Sequence, residues 1–145
     1  SFNLTNIVHN LKDASGTLWM RLEGTAGIPA GMGRSAQVVV YFFFDAGGGQ
    51  KGWAVGSTQV RFSDVNGFAA TGTPPFTVPS EGLTTSWWAT IPYNAMVLQG
   101  GYWGTDAYGS QLYFPVQNRL VLEPVLYVDG FGVLSGGLAP FFINW

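Results

Sequence analysis

The side chains able to do chemistry are few and scattered. His9 is the only histidine and there are no cysteines, which removes thiolate metal sites, a Cys nucleophile and disulfides together. A catalytic triad, a histidine-bearing zinc site or a histidine general base would have to run on His9 alone. Beside Asn10 in an extended opening segment, it reads as a satisfied structural residue. The carboxylates are Asp13, Asp45, Asp64, Asp106, Asp129, Glu23, Glu81 and Glu123. Glycoside hydrolysis needs two of them across a cleft, but most sit at turn signals, Asp45 before a glycine run and Asp129 before Gly130. Asp13 and Asp106 fall in loops whose oxygens could take Ca2+, yet no D-x-D-x-D spacing supports that reading. Gly47-Gly48-Gly49 would cradle a phosphate only where it opened a helix after a strand. Gln50–Thr58 has no helical periodicity, so the run reads as a hairpin loop. The expectation is no enzyme, no cofactor and no metal.

The remaining informative side chains are aromatic. Trp53, Trp87, Trp88, Tyr102, Trp103 and Tyr108 lie in or beside loops. A row of exposed rings of this kind is how a sandwich module stacks on sugars; the competing reading is burial, since Trp is large and mostly enclosed in folded proteins. Asn3-Leu4-Thr5 is an N-x-T sequon, so Asn3 is a candidate glycosylation site if the chain is exported.

The element that must organise these residues is Ala36–Asp45, AQVVVYFFFD. Branched and ring side chains favour a strand. Val38, Val40, Phe42 and Phe44 then share one face, and Val39, Tyr41 and Phe43 the other. An antiparallel sheet with one wet face would make the second set polar. Leaving an apolar side chain in water forgoes roughly 1.5–3 kcal/mol, so a second layer, a loop or another copy should cover it.

Ser1–Leu11 is extended. Leu18, Met20 and Leu22 alternate with Trp19, Arg21 and Glu23, and a loop follows over Gly24–Gly33. Val60 and Phe62 suggest a short strand, and Asn66-Gly67 a tight turn. Thr71–Pro79 reads as a proline-rich surface crossing that blunts an edge. Ser86–Tyr93 is a strand, Asn94–Leu98 one helical turn, and Gln99–Ser110 a glycine/aromatic loop. Arg119–Asp129 alternates, with Pro124 arguing for an edge position or a bulge. Asp129-Gly130 turns the chain, and Leu138–Trp145 closes it. Roughly eight to ten short strands without a useful helix predict a single all-β domain over 1–145, an antiparallel β-sandwich of Ig-like or jelly-roll type. A membrane barrel would alternate apolar-out with polar-in; Phe141-Phe142-Ile143 and the central strand break that rule. No membrane span is expected.

At 145 residues such a domain can bury about 70% of its unfolded surface. Charged residues make up only 10% while aromatics reach 16% and glycines number 21, against a usual charged share of about 25%. The net charge of −2 and the scattered Lys and Arg give no footprint for nucleic acid. The chain begins at Ser1 with no signal peptide, as a processed, exported bacterial or archaeal product would, and as an excised segment would too.

Several pieces resemble a small β-sandwich accessory domain of unassigned function that recurs in bacterial multidomain proteins, sometimes beside caspase-like peptidase or protein-kinase modules. They are His9-Asn10, Gly33–Gly47 with QVVVYFFFDAG at its heart, Ile91-Pro92-Tyr93, Asn118-Arg119-Leu120 and the aromatic C-terminal strand. The resemblance implies a β-sandwich and supplies no catalytic residue. This chain departs from the pattern in its fewer charges and its longer Gly/Trp loops around Gln50–Thr71 and Gly100–Ser110, which turns the reading away from a soluble accessory role.

The functional expectation is a non-enzymatic subunit, secreted or at the cell surface, that self-associates into a fibre or surface layer. Phe2, Leu4, Ile7 and Val8 of a detachable strand 1–11 would add to the sheet edge of a neighbouring copy, and Val39, Tyr41 and Phe43 would be shielded by copies. The alternatives are that strand 1–11 pairs within its own domain, or that the aromatic loops make a carbohydrate-binding or protein-interaction module.

Overall fold

Runs of β-branched and aromatic residues set the strands, and glycine-bearing turns set their ends. The computed structural model describes all residues from Ser1 to Trp145 as antiparallel sheets packed together. The strands are β1 (Phe2–Lys12), β2 (Leu18–Ile28), β3 (Ser35–Asp45), β4 (Lys51–Ala54), β5 (Ala70–Gly72), β6 (Phe76–Thr77), β7 (Leu83–Pro92), β8 (Tyr102–Thr105), β9 (Gln111–Phe114), β10 (Gln117–Val128), β11 (Phe131–Ser135) and β12 (Ala139–Asn144). One sheet has the order β1-β2-β7. The second is centred on β3 and β10, with β4, β5 and β6 along the far side of β3, and β12 and β11 along the far side of β10. β8 and β9 pair only with each other.

The two larger sheets meet through their inward-facing side chains. Met20, Leu22 and Ile28 of β2 and Trp87 and Ile91 of β7 pack against Val38, Val40 and Phe42 of β3 and Leu120, Leu122 and Leu126 of β10. At about 1.5–3 kcal/mol for each fully buried large side chain, this layer holds the fold. Gly24 is required within it: a Cβ there would lie 2.0 Å from the Asn3 carbonyl oxygen and 2.5 Å from the Trp87 ring.

The structure places several segments differently from the sequence expectations. β2 runs on through Gly24 to Ile28, because β7 pairs with it along that whole length. Val60–Phe62 is a 3-10 turn, not a strand, with Phe62 buried and Val60 in solvent. Gln99–Ser110 contains a strand, β8, that pairs with β9 to make a hairpin arm. Thr71–Pro79 is partly sheet, with β5 and β6 each pairing β3. β10 is central rather than an edge. Pro124 lies where the outer partner changes from β12, whose last pair is Leu122 with Ala139, to β11, whose first is Val125 with Ser135. Its missing N–H therefore falls in the gap between two short strands, where proline breaks no ladder.

Candidate functional site

The carboxylates are held by turns. Asp13, Asp64 and Asp106 each accept backbone N–H bonds from the second and fourth residues after them: Ser15 and Thr17, Asn66 and Phe68, Tyr108 and Ser110. In all three the residue after next but one is a glycine at positive φ, Gly16, Gly67 or Gly109, as this turn requires. Asp45 does the same, accepting from Gly47 and Gly49 with Gly48 at positive φ between them. The glycine run thus folds back on a carboxylate, which occupies the N–H groups an anion would use. Asp129 accepts from Arg34 and Ser35 across the sheet end. The signal was in the sequence as D-x-x-G, which all five aspartates carry; four of them make this turn, and Asp129 instead reaches across to Arg34 and Ser35. The Ser15 hydroxyl and then the Trp19 indole hold the Asp13 carboxyl down at about 2. N–H bonds from Ser35 and Arg34 lower Asp129.

His9 sits on β1 with its Nδ1 2.7 Å from the Tyr93 hydroxyl. That hydroxyl accepts from the Asn10 N–H at 3.0 Å, which leaves its proton for a neutral Nδ1. Phe141 flanks the imidazole on another side. Burial lowers the His9 pKa and raises that of Tyr93. The cleft beside them holds about 420 Å3 and is lined by Leu18, Phe142 and Trp145 among others, with no carboxylate. Tyr93 orients the His9 ring by engaging Nδ1, and no carboxylate or second metal-ligating side chain stands beside it to build a triad or a metal shell. No group of three His, Asp or Glu side chains is gathered anywhere in the chain.

The aromatic residues are dispersed. Trp87 is 4% exposed: odd residues of β7 face inward, and its ring lies over Gly24 and 5.8 Å from Phe2. It cannot serve as a stacking surface, which corrects that expectation. Its indole Nε1 is buried without a partner. Trp53 beside β3, Trp88 on β7 and Tyr108 at the arm tip are exposed. Tyr102 and Trp103 are consecutive in β8 and so point to opposite faces of the arm; the first stacks on Phe114, the second leans on Tyr113. Three elements and both faces of an arm do not make one flat row.

The residues expected at copy-to-copy contacts divide in two. β1 pairs with β2 of its own chain, from Phe2 opposite Ala26 to Lys12 opposite Leu18. Phe2 is buried there; Leu4, Ile7 and Val8 are half-buried, and Asn3 is exposed. Val39, Tyr41 and Phe43 face away from the core on β3, each half-buried, and no other sheet lies over them. They are shielded sideways, Tyr41 by a hydroxyl pair with Tyr127 and Phe43 by Lys51, whose ammonium stands 5.0 Å from the ring centre. Lys51 also meets Glu123 at 2.9 Å. Burial pushes Glu123 up, but hydrogen bonds from Lys51 and Ser135 outweigh it and hold its pKa below the usual value.

The largest groove, about 710 Å3, runs beside β7. Trp88, Thr85 and Thr90 line one side, Thr73, Pro74 and Phe76 the other, and Arg61 is its only charged residue. The Thr71 hydroxyl donates to the Thr90 carbonyl, so that carbonyl points away from β2. Alternation puts the main-chain groups of Ser86 and Trp88 on the same open side. No family model, curated protein or solved structure matches this chain. No helix is long and apolar enough to cross a membrane.

Proposed function

We propose that this protein is a non-enzymatic structural subunit, exported to the cell surface or beyond it, whose copies associate into a fibre or layer. The observation that carries the reading is the β8–β9 arm. A lone two-stranded hairpin is marginal in water, and this one pairs with neither sheet: only its base is tied to the body, the Gly101 N–H and the Tyr113 hydroxyl donating to the Trp145 carbonyl, while Tyr102, Trp103, Tyr113 and Phe114 are exposed on its two faces. A neighbouring copy would bury them. Phe131 and Leu134 on β11 and Phe142 on β12 add exposed apolar side chains at opposite ends of β10. Exchange of β1 between copies is a second route to assembly, since a swapped strand keeps its contacts with β2 while joining two chains. It would require Phe2 to leave its seat on Trp87, so the arm is the better supported of the two. Sedimentation velocity over a wide concentration range, with electron microscopy of the same samples, tests the proposal. Concentration-dependent growth is expected; a single 15.6 kDa species at high concentration would overturn it.

Glycan binding is the second reading, favoured by one exposed ring, Trp88, above a groove with threonine hydroxyls and Arg61. Under it, Trp88→Ala abolishes retention on the polysaccharide bound by the wild type.

A further inference from the structure

We infer that the arm of one copy docks on the open edge of β7 in the next, as an added strand of the β1-β2-β7 sheet. This rests on the self-association proposed above and names its contact. The arm and the edge match in four respects. β8 and β9 are each four residues long, and the side of β7 ahead of Thr90 that pairs with no strand spans a comparable stretch around Ser86 and Trp88, where the Thr85 hydroxyl donates to the Ser86 carbonyl and would have to share it. Main-chain bonds would supply affinity there, and alternate side chains specificity.

The second match is apolar area. At about 200 Å2 per aromatic side chain, the exposed fractions of Tyr102, Trp103, Tyr108, Tyr113 and Phe114 leave roughly 600 Å2 uncovered. A standard stable interface takes about 800 Å2 from each partner; the rings lie on both faces of the arm, so an edge contact covers part of this area and falls in the smaller, weaker class of interfaces. The groove alongside β7, about 710 Å3 with Trp88, Phe76 and Pro74 on its walls, has room for ring side chains.

Charge is the third. Asp106 is the only charged residue in 100–115, and Arg61 the only one lining the groove. They are of opposite sign.

The fourth is placement. The arm leaves the body just after β7 ends, tied by the Gly101 N–H to the Trp145 carbonyl, while the groove runs back along β7 from Thr90 toward Leu83. The two surfaces are different patches with no residue in common. A contact between unlike patches is heterologous and propagates unless its rotation closes a ring.

A complementation experiment tests this. One variant carries Tyr102→Ser with Trp103→Ser in the arm; the other carries Trp88→Asp at the edge. All three side chains are exposed, so both variants should fold, as circular dichroism and melting will report. Each alone should associate more than about tenfold more weakly than wild type, as central interface aromatics do when truncated. Mixed one to one, they should form a heterodimer and nothing longer, because each supplies the half the other lacks and one dead half remains at either end. Growth of either variant like the wild type overturns the arm–edge contact and leaves self-association standing. Silent variants that yield no heterodimer on mixing overturn it too. A wild type that stays monomeric removes both proposals. If a variant misfolds, hydrogen exchange on the wild type decides: the Ser86 and Trp88 amides should gain protection as concentration rises, and unchanged exchange there in an assembling sample refutes the contact.

Discussion

Replacing Phe2 with alanine distinguishes the two seats open to the amino-terminal strand. Phe2 is 6% exposed, and its ring lies 5.8 Å from that of Trp87 at a 30° tilt. Truncating a buried Phe costs about 3–5 kcal/mol, of which a ring pair accounts for about 0.5–1.5. Phe2 begins an edge strand, where the chain can relax toward the gap, so about 3 kcal/mol is the expectation. Against a total stability of about 5–15 kcal/mol this is a large loss, visible as a lower urea midpoint at unchanged slope. Because residue and pocket belong to one chain, the difference from wild type should not vary with protein concentration. Were β1 exchanged between copies, mass action would make the difference depend on concentration. A loss under about 1 kcal/mol, or a difference that shifts with concentration, refutes the pairing of β1 with its own β2.

Three further outcomes follow from side-chain geometry. Tyr93→Phe removes the hydroxyl that serves His9 Nδ1 and the Asn10 N–H, and should lower stability by about 1–3 kcal/mol in denaturant titration. Gly24→Ala drives a Cβ into the Asn3 carbonyl and the Trp87 ring; overpacking of this sort costs about 1–3 kcal/mol or more, and near-ultraviolet circular dichroism of the tryptophans should change with it. Stability should also fall with acid in two steps. His9 has a lowered pKa in the fold, so the unfolded chain takes up the proton first and stability declines below about 6.5. Asp13, lowered from 3.8 to about 2, contributes stability that is intact above 3.8 and is lost as pH falls through about 2. His9→Gln should flatten the first step and Asp13→Asn the second in melting curves recorded against pH.

How much of this was legible depends on whether a local rule decided the outcome. The central strand was readable because seven apolar residues in a row have no other comfortable state, and its two faces divide as alternation requires. The arm was not, because QGGYWGTDAYGS has three glycines before Asp106 and looks like a loop; it becomes a hairpin only through pairing with Gln111–Phe114. Gly104 is needed there, since a Cβ would fall 2.6 Å from the Phe114 ring. Pro124 misled in the opposite direction. Proline usually marks an edge, and no sequence rule reveals that two short strands share the far side of β10 and leave a gap where proline fits. Trp87 and Trp88 are identical by type; only the parity of β7, fixed by Ala89 and Ile91 facing the core, tells which one is hidden. The aspartates carried a signal that a search for catalytic pairs passes over, since D-x-x-G marks a turn and places each carboxylate on backbone N–H groups.

The same aspartates bear on why copies would associate. Of eight acidic residues, five accept backbone N–H bonds at turns or strand ends, Glu123 is tied to Lys51, and Glu23 to Arg21. Among the cations, Arg61 lies 5.1 Å from the centre of the Phe62 ring. The hydrogen bonds leave each of the five carboxylates charged, but the whole chain carries a net charge of only −2, so little charge of one sign holds copies apart by repulsion. In a chain with a usual charge content, an exposed arm of five aromatics would be flanked by lysines and glutamates that penalise indiscriminate contact. Here its one charge is Asp106, whose carboxylate already closes the turn. Added positive charge should act on association and leave folding alone: Gln111→Lys and Ser110→Lys in the exposed arm set a cation against Arg61 of the groove and leave the buried layer untouched, and each should raise the concentration at which light scattering first detects growth. If scattering begins at the wild-type concentration in both, the arm is not what brings copies together.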